Sequence, residues 1–220
     1  MDTLAQVARH YRRIAAPYGL LARTGLWPPQ LRKRAVAALR LPAGGRVLDI
    51  GCGTSASFGL LRKAVGDAGA VVGIEYVPEM LEYARKNSQR YRVQLVRADA
   101  GHLPLQGEFD GVLFCLSFFV IPDSFAALES AWKLLHPGGR VVIADGKYPV
   151  SPDGEWASRG MARVIARTRF EPLLRTRSIP ALREWFAARE VRCEWEQWWG
   201  GVFFTCGATR VESGRAETGR

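Results

Sequence analysis

Only four cysteines and three histidines occur in the 220 residues, and neither kind is clustered. Cys52, Cys115, Cys193 and Cys206 form no CxxC pair and have no histidine cluster beside them, which excludes a structural zinc site and a disulfide framework. Cys193 and Cys206 approach each other if the strands flanking Gly200 pair, and both are expected to be reduced packing residues. Long apolar runs are also missing: no segment nears the ~20 residues of a membrane-spanning helix. Arg9, Arg12, Arg13 and Arg23 interrupt the first thirty residues, so no secretory apolar core is visible and the cytoplasm is the expected compartment. Acidic side chains are scarce as well, 21 against 31 Lys and Arg, for a net charge of +10. That surplus attracts anions, whether acidic lipid, a phosphorylated ligand or nucleic acid. No appended RNA-binding module accompanies it, so charge alone argues for RNA modification.

What is present fits one soluble domain: 48% hydrophobic and 24% charged residues, with length for a sizeable core. Leu4, Val7, Ala8, Tyr11, Ile14 and Ala15 recur at helical spacing. Pro28-Pro29 opens a second helix that carries Leu31, Val36 and Leu39 inside and Arg32, Lys33 and Arg34 as a basic patch. Strands are expected at Arg46 to Ile50, Val71 to Glu75, Val93 to Arg97, Asp110 to Leu116 and, after the HPGG turn, Arg140 to Ala144. Between them lie helices with Phe58, Leu61 and Val65, then Met80, Leu81 and Ala84, then Phe125, Leu128 and Trp132 on their inner faces, the last capped by Asp123. Two strand-like runs, Val191 to Trp198 and Val202 to Arg210, flank a Gly200-Gly201 hairpin turn after a helix near Ile179 to Ala188.

This pattern predicts an α/β Rossmann-like fold: a mainly parallel seven-stranded sheet with helices on both faces and a C-terminal antiparallel hairpin. The expected organisation is a single domain over 1–212. It comprises a helical cap (1–41), a cofactor-binding core (46–147), a basic lid-like insertion (148–177) and the C-terminal helix and hairpin (178–212). A polar tail, 213–220, is expected to be disordered.

The chemistry concentrates in VLDIGCGTSASFGLL, Val47 to Leu61. An apolar strand runs into a glycine turn and a helix, and Glu75 closes the next strand. Gly51 and Gly53 permit close backbone approach, Glu75 can accept both ribose hydroxyls, and Asp99 can accept from an adenine amino group. Gly51, Gly53 and Ala56 with the acid also satisfy a relaxed nicotinamide-dinucleotide fingerprint. Three features argue against that reading: Asp49 two residues before the first glycine, two helices ahead of the glycine strand, and the terminal hairpin.

In these motifs the chain resembles the class I S-adenosylmethionine-dependent methyltransferases. Val47 to Gly53 resembles their first motif, VPEMLEYARKN the helix after the ribose acid, RADAGHLPL the adenine-side motif, FDGVLFCLSFFVIPD the fourth-strand motif and LHPGGRVVIADGK the fifth. The resemblance covers Arg46 to Lys147 and implies S-adenosyl-L-methionine as cofactor. It further implies that Asp49 orients the loop and the methionine amino group, and that Gly51, Cys52 and Gly53 offer backbone to the methionine portion. Glu75 holds the ribose, Tyr76 and Met80 flank the adenine, Asp99 and Ala100 address its polar edge, and Cys115 presents its carbonyl near the amino group. Ser55 departs from the family, which usually has a third glycine there.

YRRIAAPYGLL, Tyr11 to Leu21, resembles the segment before the fold in quinone-biosynthesis C-methyltransferases and bacterial phospholipid N-methyltransferases, which implies that Tyr11 and Tyr18 cover the cofactor. SFFVIPD resembles the phospholipid branch, and LSFF replaces the Asn/Asp-Pro-Pro-aromatic motif of DNA and glutamine amino-group methylases. The expected function is methyl transfer to a small or lipophilic acceptor by proximity and orientation, with no catalytic residue announced. The alternatives are a phospholipid or amine N-methyltransferase at an anionic membrane and a non-catalytic cofactor-binding protein. Arg159, Arg163 and Arg167 at helical spacing motivate the membrane reading. Trp156, Trp195, Trp198, Trp199, Phe118 and Phe119 are the candidates for an apolar acceptor pocket. Tyr148 and His136 are the possible bases, His136 on the turn opposite the expected site.

Overall fold

Strand β1 (Arg46–Ile50) is the axis on which the chain winds in two directions. Strands β2 (Ala70–Glu75) and β3 (Val93–Arg97) build outward on one side, β4 (Phe109–Cys115) and β5 (Leu135–Gly146) on the other. These five are mutually parallel, and β7 (Phe203–Thr209) then pairs antiparallel with both β5 and the edge strand β6 (Cys193–Trp198). The resulting order is β3-β2-β1-β4-β5-β7-β6, the mixed seven-stranded sheet expected from the sequence. The computed structural model describes residues 4–12, 29–146, 179–198 and 203–211. The basic insertion, Tyr18, Tyr148, Trp156, Trp199, the Gly200-Gly201 turn and the polar tail lie outside the described residues, as does the side chain of Trp198.

Helices are α1 (4–12), α2 (Pro29–Ala38), α3 (Phe58–Val65), α4 (Pro78–Tyr91), α5 (Ser124–Lys133) and α6 (Ile179–Ala187). The central strands carry near-continuous apolar runs, such as Val71–Ile74 and Val112–Cys115, because helices cover both faces. Alternate residues feed separate cores. Leu48, Ile50, Val112, Phe114, Val141 and Ile143 pack with α5 and α6, while Val47, Val71, Leu113 and Val142 pack with α2, α3 and α4. Asp123 caps α5 by accepting from the Ala126 amide at 3.0 Å. Gly66 ends α3 at φ +69°, and its amide returns to the Arg62 carbonyl.

Two local expectations need correction. The HPGG segment does not precede β5 but belongs to its irregular beginning, because Gly138 donates to the Arg210 carbonyl and Arg210 donates to Gly139, extending the ladder with β7. The register against β4 jumps there from Phe109↔Leu135 to Gly111↔Arg140. Leu81 and Phe125 are half-buried rather than core residues, whereas their neighbours Met80, Ala84, Leu128 and Trp132 are buried. All four cysteines are free thiols; Cys193 pairs across the ladder with Ala208 and Cys206 with Trp195, so the two cysteines are diagonal neighbours.

Candidate functional site

Open α/β sheets bind ligands beyond the strand carboxyl ends, at the point where neighbouring strands lead away in opposite directions. Here that point lies between β1 and β4. The loop Gly51–Gly53 leaves β1 while Leu116 and Ser117 leave β4, and the two loops touch: a Cβ on Gly51 would stand 2.7 Å from that of Ser117. The Ser117 hydroxyl donates to the Ile50 carbonyl at 2.6 Å, fixing the separation of the two strand ends. Gly51 and Gly53 have φ of +67° and +53°, left-handed backbone that glycine adopts without steric cost. Ser55 is also left-handed at φ +82°. Its hydroxyl donates to the Thr54 carbonyl and accepts from the Asn87 amide at 2.7 Å.

Glu75 organises the next wall. One carboxylate oxygen accepts from the amides of Tyr76 (2.9 Å) and Val77 (2.8 Å), the other from Gly53 (3.0 Å). The acid therefore joins the glycine loop to the start of α4 and still has lone pairs for a ligand. Burial pushes its carboxyl up from the ordinary value, against the three amide bonds that lower it. Asp49, beneath the loop, is pushed up to about 7, chiefly by burial; the positive charge of Arg32 lowers it and Glu75 raises it. Its Oδ2 is buried with no hydrogen-bond partner among the described residues.

A solvent-open cleft of about 710 Å³ runs over these elements. Gly51, Gly53, Glu75, Tyr76, Met80, Asp99 and Ala100 line it, and Tyr11 reaches it from α1. Asp99 accepts from the Gly101 amide at 2.9 Å, and Ala100 is buried beside it. A second hollow of about 310 Å³ lies behind the glycine loop; it is lined by Asp49, Cys52, Cys115 and Arg32 and shares Gly51, Gly53 and Leu116 with the first. Burial pushes the Cys115 thiol up to about 12 and the Cys52 thiol well above its usual value, so both are inert neutral walls. Every expected site residue but Tyr18, which lies outside the described residues, thus borders one of two hollows that share the glycine loop as a wall.

Sequence reasoning missed several members. Leu4, Val7 and Ala8 of α1 form an apolar roof with Val77 and Met80, and an Arg12–Glu79 ion pair of 2.7 Å ties α1 to α4. Val120, Ile121 and Pro122 close the far side. Arg32 was read only as part of a basic patch, although the helical turn separates it from exposed Lys33 and Arg34. Of the aromatic candidates, Phe118, Phe119 and Trp195 have described side chains. Phe118 is fully buried, with edge-on contacts to Phe114, Phe119 and Phe125, and Trp195 lies against Phe204 beneath Arg183; neither they nor Phe119 lines the cleft. His136 bonds Asp110 at the opposite end of β4, away from the cleft.

The arrangement suits a nucleoside joined to a charged, amino-acid-like tail: a carboxylate at the ribose position, an apolar slot beside it and a buried, unpartnered carboxylate at the far end. Residues 48–143 match the family model described as "Methyltransferase domain". The chain is 36% identical over 123 residues to a demethylmenaquinone methyltransferase of Staphylococcus saprophyticus, covering 55% of this chain and 53% of that protein. It is 32% identical over 157 residues to one of Lactobacillus johnsonii, covering 69% and 62%. The chain thus spans between half and two thirds of the length of these curated relatives. The solved structure of an S-adenosylmethionine-dependent methyltransferase from Aquifex aeolicus superposes with a TM-score of 0.66 at 19% identity, covering 88% of this chain and 98% of that one. Fold, glycine loop and sequence kinship together place the chain among the class I S-adenosylmethionine-dependent methyltransferases, with S-adenosyl-L-methionine as the methyl donor.

Proposed function

We propose that this domain transfers the donor's methyl group to a small or lipophilic acceptor, of the quinone type named for its relatives. The observation that carries donor binding is the orphaned Asp49 oxygen on one side of a left-handed glycine loop whose other side faces the cleft that Glu75 lines. The relatives at 32–36% identity supply the acceptor class.

When bound, the donor supplies an activated methyl group on a sulfonium, so the protein has to align the acceptor and exclude water. Asp49 receives the ammonium of the methionine portion, and the amides of the Gly51–Gly53 loop face its chain. Glu75, held by three amides, accepts the ribose hydroxyls without reorienting. Tyr76 and Met80 sandwich the adenine, Asp99 and Ala100 meet its polar edge, and Cys115 offers its carbonyl behind the loop. Tyr11 would cover the ribose side from α1. Ser117, bonded to the Ile50 carbonyl, fixes the end of β4 beside the glycine loop and would keep that wall of the site rigid.

The test is methyl transfer from labelled S-adenosylmethionine to a short-chain demethylmenaquinone, offered in both redox states. Methylated quinone is the expected product. No product, while S-adenosylhomocysteine still raises the melting temperature, would overturn the acceptor and leave the donor site standing. A phospholipid or amine acceptor at an anionic surface is the second reading, favoured by the net charge of +10. Under it, the protein floats with anionic but not neutral vesicles at low salt; equal behaviour with both removes it.

A further inference from the structure

Where the family usually carries its third glycine, this chain holds Ser55 left-handed at φ +82°. An L side chain is strained there, so its surroundings must keep it in place. Ser55 is buried; its hydroxyl accepts from the Asn87 side-chain amide at 2.7 Å and donates to the Thr54 carbonyl. Asn87 is half-buried on α4 where that helix meets α3. One turn further on, Tyr91 lies so close that a Cβ on Gly59 would stand 3.1 Å from its ring. Neither Ser55 nor Asn87 lines either hollow of the site, so any effect of theirs on the methyl donor passes through the loop.

Strand β2 and helix α4 pin that loop along its length. The Cys52 amide donates to the Ile74 carbonyl at 2.9 Å, the Gly53 amide to Glu75 at 3.0 Å, and Asn87 to Ser55. The first two bonds hold main chain, and the third holds a side chain whose own backbone is strained. Ser55 also closes the turn. Its amide donates to the Cys52 carbonyl at 3.0 Å, and its carbonyl accepts from the Phe58 amide at 3.2 Å, where α3 begins. A Ser55 relaxed to ordinary φ would swing its amide or its carbonyl out of these bonds, and Gly53 lies within the turn that moves. The strain of one left-handed L residue and the worth of one neutral hydrogen bond are of similar size. The shape of the loop therefore stands near balance, and the Asn87 bond tips it. Glycine at position 55 would carry no strain and need no such bond.

We propose that Asn87 is a positioning residue for the methyl donor: its hydrogen bond holds Ser55 left-handed and thereby keeps the Gly51–Gly53 loop in its donor-binding shape. The inference rests on the donor reading and is independent of the acceptor.

The test is isothermal titration of S-adenosylhomocysteine against wild type, Asn87→Ala, Asn87→Leu, Ser55→Gly and the double variant Ser55→Gly/Asn87→Ala. Asn87→Ala is expected to bind about five- to tenfold more weakly, and so is Asn87→Leu, which refills the space without an N–H group. Ser55→Gly should match wild type within about twofold, and the double variant should match Ser55→Gly. That rescue is the discriminating readout. If Asn87 merely packed α4 against α3, its loss would weaken binding equally with serine or glycine at position 55. Alanine and leucine are good helix formers, and unchanged melting temperatures of the ligand-free variants verify that α4 is intact. An Asn87→Ala affinity equal to that of wild type would overturn the proposal. So would equal weakening in both backgrounds, or a loss of affinity in Ser55→Gly alone. Wild type that binds no S-adenosylhomocysteine would overturn the donor assignment itself, a result distinct from all of these.

Discussion

Asp49 should make donor affinity depend on pH. Its carboxyl sits at about 7 in the free protein because burial outweighs the pull of Arg32. A neutral carboxyl is a poor partner for an ammonium, so binding selects the ionised form. With a free-state value near 7, about one tenth of the molecules are ionised at pH 6 and about nine tenths at pH 8. Affinity for S-adenosylhomocysteine should therefore rise about tenfold across that range, equivalent to about 1.4 kcal/mol. Binding near pH 7 should release about half a proton, visible by titration calorimetry as a difference between two buffers of unlike ionisation enthalpy. Loss of the ligand's own ammonium proton at higher pH acts in the opposite direction, so the acidic side of the profile is the informative one. Asp145 also sits at about 7, raised by burial, but lies outside the cleft lining, and Asp145→Asn should leave the profile in place. Asp49→Asn should bind more weakly and flatten it. A flat wild-type profile, or one that survives Asp49→Asn, would refute the reasoning. The ligand-free protein shows the mirror image. Both acids bind protons more tightly folded than unfolded, so their contribution to stability is fully present below about pH 4 and is lost as pH rises through 7.

Gly51→Ala forces a left-handed alanine against Ser117; it should cost at least ~1–2 kcal/mol in urea unfolding and abolish the melting shift with S-adenosylhomocysteine. At position 55, glycine should be more stable than alanine by about 1 kcal/mol, since both lose the Asn87 bond and only alanine keeps the strained backbone; alanine equal to glycine in denaturant midpoint would contradict the assigned conformation. Arg140→Met should cost about 2–3 kcal/mol in urea unfolding, because the buried guanidinium donates to the Ala38 carbonyl, Thr209 and Glu194. Glu194→Gln at the half-exposed end should cost under ~1 kcal/mol.

Much of the fold was legible because its parallel strands are buried on both faces. Val47 to Ile50, Val71 to Ile74 and Val112 to Cys115 read as short apolar runs bounded by turn residues, and the burial bears them out. The donor loop was legible for a related reason: backbone held near a ligand needs Gly51 and Gly53, and glycine is visible in a sequence. Side chains whose meaning depends on direction were not. Arg32, Lys33 and Arg34 are equivalent in the sequence, yet one helical turn sends the first to the hollow behind the glycine loop and the third to Glu196. Phe118 and Phe119 occupy the segment after β4 where an acceptor pocket was expected, but the 3₁₀ turn Phe118–Val120 directs the first into the core. The start of β5 was placed late because nothing in HPGG announces that its glycines pair with Arg210, seventy residues away.

The polar links between α2 and the last two strands bear on how the chain completes its fold. Arg34 and Arg40 reach Glu196 and Glu194 of β6, and Arg140 binds the Ala38 carbonyl, Thr209 of β7 and Glu194 together. A chain still lacking its last two strands has the apolar seats of α2 on α3, β4 and β5 but none of its charged links to Glu194 and Glu196. The first strand-flanking helix is thereby fastened by the last residues to be synthesised.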